Sequence, residues 1–110
     1  MDKPRLIVVD RVGELPSGSR YVLSFVELWP ERVVVRMVGL ADGVGRELSG
    51  LGLSLCDDGG HKYVWVATTS GGMVLPEEVS IGFEGPLREG ARSLELGAGA
   101  GGALQRIQIT

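Results

Sequence analysis

Between Arg32 and Val38 the apolar side chains alternate, with Val33, Val35 and Met37 on one side and Arg32, Val34, Arg36 and Val38 on the other. A period of two belongs to a strand, and the arginines mark its outer face. Tyr21, Leu23 and Phe25 alternate in the same way, but Val26 and Leu28 follow the opposite parity, so a bulge is expected near Phe25. Pro30 presets φ for a turn with Glu31, and Tyr21 to Gly39 therefore reads as a long hairpin. Upstream, Leu6 to Val9 carries no alternation. Such a run predicts a strand covered on both faces or one that switches sheets. GELPSGS then reads as a turn-rich crossover into the hairpin, and LADGVGREL after it as a loop between sheets.

Leu51, Leu53 and Leu55 alternate with Gly52, Ser54 and Cys56, and Asp57-Asp58-Gly59-Gly60 turns that strand back into Lys62 to Thr69. Two registers compete. A two-residue turn at Asp58-Gly59 pairs Cys56 with His61 and leaves Trp65 outside. A type I turn opened by Asp57, with Gly60 in the left-handed bulge position, moves the pairing by one residue and sets Leu53 and Leu55 against Trp65 and Tyr63. The second is favoured because Asp suits the first position of a type I turn and the spare Gly suits the bulge. Val79, Ile81 and Phe83 give another inward face. Ser93 to Leu96 and Ala103 to Ile109 flank GAGAGG as the last two strands, and Pro76 keeps MVLPEE out of a central strand. No longer run has helical periodicity. Seven to eight short strands with Gly and Pro turns predict an all-β antiparallel sandwich or small barrel without substantial helix.

The run VLSFVELWPERVVVRM, the hairpin LSLCDDGGHKYVW and the segment VSIGFEGPLREGARSLEL together resemble small bacterial immunoglobulin-like β-sandwich modules of unknown function. The matching positions are Asp57, Gly60 and Tyr63 in the hairpin, then Phe83, Pro86, Ala91, Leu94 and Leu96. The resemblance implies an immunoglobulin-like fold. It rests on turn and strand residues and carries no catalytic residue across, and the antibody pattern of paired cysteines is absent.

Composition narrows the rest. At 110 residues and 44% hydrophobic, residues 1-110 make one domain with one core. Eleven basic and fourteen acidic residues give a net charge of -3 with no long run of either sign, which offers no argument for a nucleic-acid partner. Leu6 to Val9 is too short for a membrane span, and one cysteine excludes an internal disulfide framework, so the expected location is cytoplasmic.

Candidate chemistry is sparse. Cys56 and His61 flank a turn without a third catalytic partner, and Asp57, Asp58 and His61, even with Asp42, Glu77 and Glu78, fit no metal-ligand spacing. GAGAGG lacks the Lys and following helix of a phosphate loop. No catalytic residue, cofactor or metal is expected, and the chain is read as not an enzyme. The leading expectation is a module that binds another protein or itself, with Val34, Arg36, Val38, Val64 and Val66 as the candidate interface, because these valines point away from the presumed core. The alternative is a carbohydrate or small-ligand platform of Tyr63, Trp65 and Trp29. A cysteine-dependent hydrolase is the third and weakest reading.

Overall fold

The structure is a computed structural model describing residues 3–71, 76–99 and 102–110. Met73 to Leu75 of the predicted connection, and Ala100 and Gly101 of the GAGAGG loop, lie outside the described residues. The described chain forms nine strands: β1 (Arg5–Glu14), β2 (Arg20–Leu28), β3 (Arg32–Gly39), β4 (Leu53–Asp57), β5 (Lys62–Tyr63), β6 (Trp65–Gly71), β7 (Glu77–Glu84), β8 (Ser93–Ala98) and β9 (Gly102–Gln108). A six-residue helix, α1 (Val44–Ser49), lies between β3 and β4. The architecture is all-β, with two antiparallel sheets in the orders β1-β2-β3-β7-β6 and β5-β4-β8-β9.

The alternation in β3 predicts its burial correctly. Val33, Val35 and Met37 are buried and meet Val79, Ile81 and Phe83 of β7 in register. The expected bulge falls between Leu23 and Phe25, which returns Val26 to the core beside Tyr21 and Leu23. Leu55, Leu94, Leu96 and Ile107 close the core from the second sheet.

Three expectations are corrected. Leu6 to Val9 is neither covered on both faces nor a sheet switch. It belongs to edge strand β1, where Ile7 and Val9 lean on the core while Leu6 and Val8 face solvent. GELPSGS closes the β1–β2 hairpin instead of crossing between sheets. LADGVGREL is not all loop, because α1 places Val44 and Leu48 one turn apart and both are buried against the end of the sandwich. One turn of helix is too short for its periodicity to show in the sequence.

The DDGG hairpin takes the favoured register, with Leu55 opposite Tyr63 and Cys56 opposite Lys62, and Gly60 at φ +86. Yet Trp65 is not inside. The chain leaves the four-stranded sheet at Val64 and joins the five-stranded one, so the run read as one strand becomes β5 and β6 and the count rises from seven or eight to nine. Trp65 pairs with Phe83 on an edge strand, and among the described residues no strand lies beyond it.

The opposite side of the sandwich, between edge strands β1 and β9, is strapped by side chains. The Arg11 guanidinium donates to the Arg106 carbonyl at 2.7 Å and to Gln105 Oε1 at 3.2 Å, while Gln105 Nε2 donates to the Tyr21 hydroxyl at 3.1 Å. Gly13 is opposite Tyr21, and a Cβ there would fall 2.3 Å from the phenol ring. The bare backbone lets that ring lie across β1 and reach Gln105.

Candidate interaction surface

The two sheets turn different surfaces to solvent. Along β4, β5, β8 and β9 the outward positions include Ser54, Lys62, Glu95 and Arg106, the usual composition of a solvated face. Along β1, β2 and β3 they include Leu6, Val8, Val12, Val22, Phe25, Val34 and Val38, laid side by side by the register among Glu14, Arg20, Glu27, Arg32 and Arg36. Val8 is 78% exposed, and Leu6 and Val12 are about half exposed. The predicted interface residues Val34, Arg36 and Val38 sit in the middle of this face. Leu6, Val8, Val12 and Phe25 extend it; the signal for Leu6 and Val8 was the unalternating apolar run of β1.

The centre of the face is polar but self-contained. Arg36 Nη2 lies 3.3 Å from a Glu27 carboxylate oxygen, and its Nη1 donates to Ser80 Oγ at 2.7 Å. Its buried Nε finds no partner among the described residues. Glu27 also accepts from the Trp29 indole at 3.0 Å. That bond holds the ring at the hairpin tip, where Trp29, Pro30, Glu31, Arg32 and Val34 line an open hollow beside the face.

The other two interface candidates lie elsewhere. Val64, 60% exposed, occupies the step between β5 and β6, and Val66 is the extra residue of a bulge on edge strand β6. Both stand two strands away from Val34.

The predicted aromatic platform is not assembled. Tyr63 is buried, and its hydroxyl donates to Asp57 Oδ2 at 2.8 Å and accepts the Arg88 amide at 3.0 Å. Trp65 donates its indole N–H to Thr68 Oγ1 on β6, whereas Trp29 is at the β2–β3 tip. No single face holds all three.

Cys56 and His61 are not cross-strand partners, because Cys56 is opposite Lys62 and Glu95. His61 packs edge-on against Tyr63, with ring centroids 4.6 Å apart. Asp57 is structural. Its Oδ1 accepts the amides of Gly59 and His61 at 2.9 and 3.0 Å. Burial favours the neutral acid, but the bonds from Tyr63, His61 and Gly59 outweigh it and hold the carboxyl below the usual carboxylate range. Asp58 accepts the amides of Arg92 and Ser93 and is lowered by them. Burial raises the Tyr63 phenol, and its bond to the Asp57 carboxylate acts in the same direction. Glu77, which the sequence offers only as a distant companion of the Asp57–His61 cluster, accepts the Gly45 amide and so fixes α1.

Among the described residues no three His, Cys, Asp or Glu side chains gather as metal ligands, and no helix is long and apolar enough to cross a membrane. No protein-family model, curated protein or solved structure matches the chain.

Proposed function

We propose that the chain is a non-catalytic, immunoglobulin-like β-sandwich module that works by contact with another protein or with its own kind, through the outer face of the five-stranded sheet. The observation that carries this reading is the asymmetry between the two outer faces. In an isolated sandwich both would meet only water, yet one is polar and the other holds seven apolar side chains on three adjacent strands. Apolar side chains gathered on one outer face, here around the Arg36–Glu27 pair, are the usual mark of an interface. Trp29 and Arg32 at its edge are residue types that anchor such contacts.

The test is photo-crosslinking in the cells that make the protein. A benzoyl-phenylalanine in place of Val8 is expected to capture a protein, self or other, and one in place of Ser54 on the opposite face is not. Equal capture at both positions, or capture at neither, would sink the reading.

A further inference from the structure

The outer face of the five-stranded sheet has a step built into it. On β1 and β2 it is high, carrying Leu6, Val8, Val12, Val22 and Phe25. On β7 and β6 it is mostly low, because Ser80, Gly82, Ala67, Thr69 and Gly71 occupy the same rows, with Glu78 the one long side chain among them. One row runs Val8, Phe25, Arg36, Ser80, Thr69, falling from large to small across β3.

The charges on this face are matched within it. Glu27 pairs with Arg36, Arg32 is opposite Glu84 in register, and Glu14 is opposite Arg20. Among the described register rows Glu78 is left over, so the face does not call for a strongly charged partner, although the whole chain carries a net charge of -3. Two copies meeting here bring two Arg36–Glu27 pairs together at the axis, and Glu78 of each copy is the charge left unpaired.

From the step and the matched charges we infer that the partner of this face is a second copy of the chain, related by a twofold axis that runs along β3. This rests on the proposed function and names its partner. Such an axis lays the high half of each copy on the low half of the other, Val8 toward the partner's Thr69 and Phe25 toward its Ser80. The same patch serves on both sides, as an isologous contact requires. Five strands about 4.8 Å apart and roughly eight residues at about 3.3 Å span on the order of 600 Å² per copy, hence about 1,200 Å² per pair, which reaches the range of specific interfaces.

Sedimentation of the full chain over a wide concentration range tests this, with circular dichroism to establish that every variant is folded. Wild type is expected at twice the chain mass of 11.7 kDa. Val8→Glu on the high half and Ala67→Arg on the low half should each halve that mass, and Ser54→Arg should leave it unchanged. In a Cys56→Ser background, mixing Val8→Cys with Thr69→Cys should give a disulfide-linked pair that neither variant gives alone. A wild type that stays monomeric at every concentration overturns the inference, and so does a dimer that survives both Val8→Glu and Ala67→Arg. If that monomer still crosslinks to a different protein at position 8, the second copy is excluded and the proposed function stands. No crosslink at all removes both.

Discussion

Asp57 shows how one residue joins a turn, a core and a loop. Its carboxylate receives two amides of its own hairpin and the Tyr63 hydroxyl, and that hydroxyl in turn receives the Arg88 amide from the loop beyond β7. These bonds favour the charged form and lower its folded pKa. The stabilisation is therefore complete above the ordinary carboxylate range, near pH 4, and is lost as pH falls through the lower folded value. Asp57→Asn keeps the shape but removes the charge and one acceptor oxygen. It is expected to lose about 1–3 kcal/mol at neutral pH and to flatten the fall in stability on acidification. Urea midpoints of both proteins over a pH series check this; parallel curves would contradict it. The sequence offers Asp57 only as a turn former. That its side chain is also the partner of a buried phenol depends on the hairpin register, which brings Tyr63 back over it.

At the scale of elements, β3 and β7 form the centre of the five-stranded sheet, and Phe83 is fully buried opposite Val33. Phe83→Ala leaves a cavity between two sheets that cannot both close on it, and is expected to cost about 3–5 kcal/mol. Leu53 sits at the start of β4, still buried but closer to solvent, so Leu53→Ala should fall toward the lower end of about 2–5 kcal/mol. Denaturant midpoints with unchanged slopes are the measurement, and a smaller loss for Phe83→Ala than for Leu53→Ala would show that the core is centred elsewhere. By contrast Val64 and Trp65, exposed at the crossing from β5 to β6, contribute little to that core. Their β-rich composition is the same as that of a buried strand. Their exposure follows from the neighbours that an edge position lacks.

The whole molecule turns a polar sheet to water on one side and, on the other, a sheet whose strands β1, β2 and β3 carry apolar side chains outward. If two copies cover the apolar side, folding and association are linked, and the midpoint of thermal unfolding should rise with protein concentration. The rise should vanish in Val8→Glu. A midpoint independent of concentration in wild type would contradict the linkage. By itself the sequence determined most of the strands and the inner and outer positions of β3 and β7, and it favoured the observed hairpin register at Asp57 to Gly60, because a period of two and a turn with its glycine are local features. It also placed Val34, Arg36 and Val38 on one outer face. Only the tertiary structure decided that Leu6 to Val9 lies at an uncovered edge, that the strand after Tyr63 changes sheets, that Val44 and Leu48 close the sandwich as a helix, and that Val64 and Val66 stand apart from the other candidates. The physical reason is that alternation tells which side chains share a face, whereas what covers that face is set by strands far away in the chain.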